Sequence, residues 1–283
     1  MGILSLMYHR FDEIKYPSTN IKMDIFKEHI KIIKNLNFDF YNPGDLEKDF
    51  DVEKKNKKIL ITIDDAFSSF YRIAWPYLQK EKIPFILFVS TEAVGKKGYM
   101  TWEEIKEVEK ETYAYLGNHS HSHGYLVNLK KEDFIKDIEA ANNIFIKNLG
   151  YNPIFFSYPF GEYSEFIKKY ISKTFKFSFG QHSGVIDINK DPYELPRFPI
   201  NEKYGDLKRF KFLINLQPLQ FKKLLPNEKL LNGDNNPPNF LVEFFIDQKN
   251  LKNINCFSDE GNNWAKSKVY FNKNELKIKF REK

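Results

Sequence analysis

The run Ile59-Leu60-Ile61-Thr62-Ile63 ends in two adjacent carboxylates, Asp64 and Asp65, and this junction limits the folds open to the chain more than any other stretch. Near-continuous aliphatic and β-branched residues describe a strand covered on both faces, as in sheets sandwiched between helices. Carboxylates at the C-terminal end of such a strand lie where α/β sheets and barrels gather their ligand-binding loops. Neighbouring strand residues point to opposite faces, so Asp64 and Asp65 take different roles unless the strand has already broken. One can hold a metal while the other acts as an acid or base.

The flanking segments alternate in character. Ile3–His9 reads as a strand, and Ile21–Leu36 carries Ile25, Phe26, Ile30, Ile33 and Leu36 at helical spacing. Ser68–Lys80 reads as a helix, Phe85–Val89 as a strand, and Thr101–Lys110 as a helix opened by a capping box. Strands over Tyr113–Leu116, Ile154–Ser157 and Phe175–Phe179 are separated by helices over Lys131–Leu149 and Glu165–Lys173. This pattern predicts an α/β chain, a distorted (β/α) barrel of about seven strands. Polar clusters recur at the strand ends: His9, Asp64-Asp65, His119 to His123, Tyr158 to Gly161, His182 and Arg197. A barrel brings them to one rim. Past Leu216 the pattern changes. A turn-rich linker is predicted over 217–238, and strands over Phe240–Ile246, Asn253–Phe257, Lys268–Phe271 and Glu275–Phe280 predict a small antiparallel β appendage over 239–283, leaving 1–216 for the barrel.

Composition narrows the partners. A net charge of +6 raises an anionic partner, but 44 Lys and Arg are spread along the chain beside 38 Asp and Glu, so no nucleic acid is expected. The single Cys256 excludes an internal disulfide and a cysteine-only zinc site. No run reaches transmembrane length, and Ile3–Tyr8 is too short for the core of a signal peptide.

Three of the six histidines fall between His119 and His123. Two imidazoles separated by three residues, with a hard carboxylate from Asp64 or Asp65, suit a transition metal, and His121 then points away. A His-rich surface turn is the alternative, and the paired carboxylates weigh against it.

Thr62-Ile63-Asp64-Asp65-Ala66 and His119-Ser120-His121-Ser122-His123 resemble the first two motifs of the polysaccharide deacetylases (NodB homology domain, carbohydrate esterase family 4). Phe156-Ser157-Tyr158-Pro159-Phe160-Gly161 resembles the third in its Pro and Gly. The resemblance spans roughly Ile3 to Glu202. It implies a NodB-like barrel and hydrolysis of N-acetyl groups on an amino-sugar polysaccharide. It further implies one divalent ion on Asp65, His119 and His123, with Asp64 as general base and the Phe160 N–H holding the oxyanion. Zinc suits those ligands, and cobalt, nickel or iron would also fit.

Two departures qualify the match. Ser157 stands where the family commonly has an arginine paired with the base, and Arg197, in Leu195-Pro196-Arg197-Phe198-Pro199, is the candidate replacement. A C-terminal Leu-x-His motif is missing, whereas Leu6-Met7-Tyr8-His9 resembles the permuted arrangement of the poly-N-acetylglucosamine deacetylases of biofilms. His9 is therefore expected to be the general acid, with His182 as competitor. Tyr158, Trp102 and Pro159 are expected against the substrate, and Phe67, Phe70, Tyr71 and Tyr99 are further candidates for a sugar floor. His29 is expected on the solvated face of its helix. An O-acetyl ester, a small amide, or a dead carbohydrate-binding fold with Ser157 as a sign of decay are the alternatives. The implied polymer points to the periplasm or cell exterior, with a signal absent from this sequence; a cytoplasmic protein is the other reading.

Overall fold

The computed structural model describes residues 2–49, 58–245 and 251–280. They fall into two compact units, Met1–Glu162 with Ile167–Pro218 and Tyr163–Phe166 with Leu219–Lys283.

In the first unit strands and helices alternate as expected. The strands are β1 (Gly2–Tyr8), β2 (Lys58–Ile63), β3 (Phe85–Val89), β4 (Ala114–Asn118), β5 (Phe155–Ser157), β6 (Phe177–Phe179) and β7 (Ile186–Asp187). The helices are α1 (Met23–Asn35), α2 (Trp75–Glu81), α3 (Trp102–Glu109), α4 (Lys131–Leu149), α5 (Glu165–Ile171) and α6 (Leu207–Leu213). The sheet order is β7-β1-β2-β3-β4-β5-β6, with β1 to β6 parallel and β7 antiparallel to β1. Every position of β1 and β3 is buried, which is why these strands read as continuous apolar runs.

The parity of the strands sets up two packed layers. Leu4, Leu6, Ile59, Ile61 and Ile63 join one core with residues of α1, α2 and α3, while Ile3, Leu60, Ile86, Phe88 and Phe179 form another. β1 and β2 run in register from Ile3 opposite Lys58 to Tyr8 opposite Ile63. The two strands therefore end side by side, and the Asp64 N–H donates to the Tyr8 carbonyl at 2.9 Å. The curled sheet closes at its C-terminal rim through one segment. Leu195 bridges Phe179 of β6, and β8 (Phe198–Pro199) pairs parallel with Leu6 and Met7 of β1.

Thr101 caps α3 with both hydrogen bonds of the capping box in place, as its sequence predicts. His29 departs from expectation: it is fully buried. Its position, three residues after Phe26 and four before Ile33, lies on the apolar face of α1. Its Nε2–H donates to the Gly205 carbonyl at 2.8 Å, Nδ1 accepts from the Tyr8 hydroxyl at 3.2 Å, and its ring stacks on Phe210 at 3.9 Å. The neutral ring, protonated on Nε2, satisfies both nitrogens. Burial lowers its pKa to about 4, against the Gly205 carbonyl and the Asp206 charge, which act to raise it.

The sign follows from linkage. Between pH 6.5 and 4 the unfolded chain binds a proton here that the folded chain does not, so His29 contributes stability above that window and loses it on acidification, about 3 kcal/mol in all. Urea midpoints at pH 7 and pH 4.5 check this: His29→Gln is expected to flatten the fall seen in wild type. An equal fall in both proteins would remove His29 as its source.

The second unit holds β9 (Phe221–Leu225), β10 (Leu241–Phe244), β11 (Phe257–Glu260), β12 (Asn263–Lys266), β13 (Lys268–Asn272) and β14 (Glu275–Lys279). They form a four-stranded antiparallel sheet, β9-β10-β14-β13, and a separate β11-β12 hairpin. Val242, Phe244 and Leu276 form its core. Two expectations are corrected. The linker stretch contains strand β9, whose register shifts between Phe221 and Lys223, so the two-residue alternation is broken where it would have been read. The strand expected at Asn253–Phe257 begins only at Phe257, after a 3-10 turn at Leu251–Asn253. Gly261 and Asn262 both take positive φ, 60° and 62°, as a two-residue hairpin turn of the favoured twist requires. Of the expected strand Phe240–Ile246, Ile246 lies outside the described residues. No helix among the described residues is long and apolar enough to cross a membrane.

Candidate active site

The strand ends deliver the polar clusters to one rim. β2 stops at Ile63, and Asp65 and Ala66 follow with φ of 73° and 51°, so the chain turns sharply and the two carboxylates part. Asp64 is fully buried against Arg197, which is itself fully buried. Arg197 grips both carboxylate oxygens, from Nη1 to Oδ1 at 2.7 Å and from Nη2 to Oδ2 at 2.9 Å. The same guanidinium donates to Ser157 Oγ at 2.8 Å, to Thr62 Oγ1 at 3.2 Å and to the Gly180 carbonyl at 2.9 Å. It lies over the rings of Phe88 and Phe179. Five donations and two aromatic faces fix a planar cation in place. Burial works against the Asp64 charge, and Arg197, then His119 and His9, outweigh it and hold the carboxyl below the usual range.

Asp65 faces the histidines. His119 directly follows β4, and its Nδ1 lies 2.7 Å from the Ser157 carbonyl. A carbonyl only accepts, so Nδ1 carries the proton and Nε2 presents its lone pair. That Nε2 lies 3.5 Å from Asp65 Oδ1, and His123 Nε2 lies 3.0 Å from the same oxygen. Burial lowers the His119 pKa to about 4, so its imidazole is neutral at pH 7. Burial opposes the Asp65 charge as well, but His123, His9 and His119 hold its carboxyl well below the usual range. For His123 burial disfavours the cation, and Asp65 prevails to raise its pKa.

Among the described residues, Asp65 Oδ1 and His119 Nε2 are buried and have no hydrogen-bond partner. The 3.0 Å approach of His123 is therefore a contact of charge, without the alignment of a hydrogen bond. Two buried electron-pair donors facing each other without a proton between them suit a shared cation. Asp65, His119 and His123 bring one ligand atom each to within 4.8 Å of the others. One carboxylate and two imidazoles form the donor set of a zinc-type site with positions left open. The residues fit the ion.

The loop around them is strained. Ser120, His123 and Phe160 take φ of 66°, 54° and 58°, beside the positive values at Asp65 and Ala66. Non-glycine residues in this region cost of order 1–3 kcal/mol each and collect where a site demands them. Ser120 Oγ accepts the His123 N–H at 3.0 Å and Asn118 Oδ1 accepts that of Ser120 at 2.8 Å. His121 is turned aside, its Nδ1 2.9 Å from Thr91 Oγ1.

A cleft of about 280 Å³ opens at this rim, lined by His9, Asp65, His123, Phe160 and the apolar Met7 and Ile200. His182 is exposed, and its carbonyl accepts the Arg197 N–H at 3.0 Å. Phe160 is half-exposed, with its ring edge-on to His123 and stacked on Tyr125 at 4.0 Å. Gly161 follows with φ 75°, and a Cβ there would meet the Gln181 nitrogen at 2.6 Å, so glycine is required.

Two expected substrate contacts are corrected. Tyr158 is fully buried, with its hydroxyl on the Tyr193 carbonyl at 3.1 Å. Trp102 packs edge-on to Phe145 against the barrel core. Neither lines the cleft. Pro159 is buried beneath the same turn. Both aromatics stand next to polar clusters in sequence but point into helix–sheet packing, which abundant aromatics do by default. Tyr125 carries no signal in the sequence, because its proximity to Phe160 is spatial only.

Comparison with known proteins agrees with this geometry. Residues 51–175 match the family model for polysaccharide deacetylases. The poly-β-1,6-N-acetyl-D-glucosamine N-deacetylase of Staphylococcus aureus is 25% identical over 204 residues, covering 65% of this chain and 68% of the relative. IcaB of Ammonifex degensii superposes with a TM-score of 0.68 at 23% identity, over 76% of this chain and 97% of the other. The Streptococcus pyogenes deacetylase PplD gives 0.69 at 19% identity, over 76% and 99%. With its two carboxylates, its histidine pair and its curled parallel sheet arranged in this way, the chain carries a segment, residues 51–175, that matches the polysaccharide deacetylase domain, and it resembles the NodB homology group of carbohydrate esterase family 4.

Proposed function

We propose that the protein is a metal-dependent hydrolase removing N-acetyl groups from an N-acetylglucosamine-type polysaccharide. The observation that carries this reading is the division of labour between neighbours: Asp64 is locked ionised by Arg197, while Asp65 faces two imidazoles. Asp65, His119 and His123 would hold one divalent ion, zinc by the donor set, with cobalt, nickel or iron suited to the same ligands. Bound there, the ion supplies Lewis acidity that makes a water nucleophilic at neutral pH and polarises the acyl carbonyl.

The chain's own groups do the rest. Asp64, oriented by five-donor Arg197, takes the proton of the attacking water. The Phe160 N–H, presented by the left-handed turn, donates to the developing oxyanion. His9, on the cleft wall beside Met7, protonates the departing amine nitrogen. Its place in the cleft, against the exposed His182, supports the permuted acid. The S. aureus relative's printed substrate supports a poly-N-acetylglucosamine chain, and a polymer of that kind supports work at the periplasm or cell exterior.

Acetate release from N-acetylglucosamine oligomers by zinc-loaded protein tests the reading. Asp64→Asn and His9→Ala are each expected to lose about 10²–10⁴-fold in turnover, as removal of a positioned acid or base does, with His182→Ala near wild type. Release by wild type from O-acetyl esters alone would reassign the substrate, and loss in His182→Ala with His9→Ala active would reassign the acid.

A further inference from the structure

We propose that Asp137 is a positioning residue for the metal ligands, a carboxylate on α4 that sets the backbone of the His119–His123 loop. This rests on the metal reading above. His119 and His123 lie on either side of two peptide N–H groups, those of His121 and Ser122, and Asp137 accepts both. The His121 N–H reaches Oδ1 at 2.8 Å and the Ser122 N–H reaches Oδ2 at 3.0 Å, so each oxygen is committed to one donor. Asp137 is 9% exposed, and among the described residues no Lys or Arg pairs with it. A buried carboxylate without a cation is costly, and charge-assisted bonds to two aligned N–H groups are what offset it here.

The need for such a clamp is visible in the loop. Ser120 and His123 both sit at positive φ, a conformation that persists only where surrounding bonds over-determine it. On the other side Thr91 and Glu92 donate their N–H groups to the Ser120 and His121 carbonyls at 3.2 and 3.0 Å. The loop is thus held by its carbonyls from one direction and by its N–H groups from the other. Asn142, on the same helix, accepts from Asn118 Nδ2 at 3.0 Å just before His119, so α4 braces the approach to the first ligand as well. An ion needs its ligands within about half an ångström of their productive places, and the peptide between two ligands controls that distance.

Asparagine at 137 presents one acceptor and turns an NH₂ toward the second N–H donor, so one bond is lost and one opposition created. Titration of metal-free protein with Zn²⁺, and with Co²⁺ followed by its visible spectrum, reads the effect without reference to turnover. Asp137→Asn is expected to bind either ion about 10–100-fold more weakly, the usual cost of an outer partner, with an altered Co²⁺ spectrum. Asp133→Asn, exposed on the same helix, is expected to match wild type. Wild-type affinity and spectrum in Asp137→Asn would overturn the assignment. Should that variant fail to fold, Asp137→Glu, which keeps both oxygens one methylene further out, is read the same way: severalfold weaker binding supports the role and unchanged binding overturns it. Wild type that binds neither ion overturns the metal reading, and this proposal with it.

Discussion

Arg197→Met will yield a protein that is inactive and about 3–5 kcal/mol less stable at neutral pH, because it strands the buried Asp64 charge without its counter-ion. The loss exceeds that of an exposed pair, since neither partner touches solvent. Its pH dependence separates electrostatics from lost packing. In wild type the Asp64 pKa is depressed, so its contribution is present above the unfolded carboxylate value near 4 and is lost as pH falls through the folded value. Without Arg197, burial dominates and raises that pKa, and the sign reverses: stability is lost as pH rises and partly recovered on acidification toward pH 5. Urea midpoints at pH 5 and pH 7.5 would show it. Combining Arg197→Met with Asp64→Asn removes both charges and is expected to recover most of the loss. A double variant no more stable than the single would mean that packing on Phe88 and Phe179, rather than charge, dominates.

Asp65→Asn will separate folding from metal binding. The carboxylate is the only anionic group of the three proposed ligands, so its neutral amide is expected to weaken the ion by roughly 100-fold or more, beyond the 10–100-fold typical of outer partners. The metal-free variant, by contrast, is expected to keep the fold but to lose at neutral pH the stability that the depressed Asp65 carboxyl contributes through its histidine neighbours. Thermal unfolding with chelator and with excess zinc distinguishes the two effects. Wild type gains about 2.7 kcal/mol at a ligand concentration 100 times its dissociation constant, and the variant gains next to nothing. A full zinc-dependent shift in Asp65→Asn would remove this residue from the ligand set.

Much of this was legible in the chain because the constraints were local. A strand buried on both faces leaves an unbroken apolar run, so β2 and the carboxylates at its end could be placed without coordinates. The capping box of α3 and the His119–His123 spacing are likewise short-range patterns. Arg197, fixed between prolines, announced a rigid cation at a strand end, though not the five donations it makes. His29 departs from the solvated expectation because its spacing from Phe26 and Ile33 puts it on the buried face, and in a helix the phase of a titratable side chain outweighs its chemistry. Tyr158 and Trp102 depart for the opposite reason: nearness in sequence to polar clusters says nothing of which way a ring packs. Strand β9 hid behind its register shift, and Asp137 behind a separation of 15 and 16 residues from the N–H groups it holds. Long-range partnerships carry no periodicity, so no pattern in the sequence marks them.

The segment Leu195–Pro199 closes the sheet between β6 and β1 and carries the guanidinium that grips Asp64. During synthesis the carboxylate leaves the ribosome 133 positions ahead of that partner. A chain that reaches past β2 but stops short of Arg197 therefore has an open rim and an unmatched Asp64, and one late segment completes both through contacts distant in sequence. Until that segment is made, the growing chain exposes a strand edge and an unpaired carboxylate, the kind of surface that makes partly folded chains prone to association.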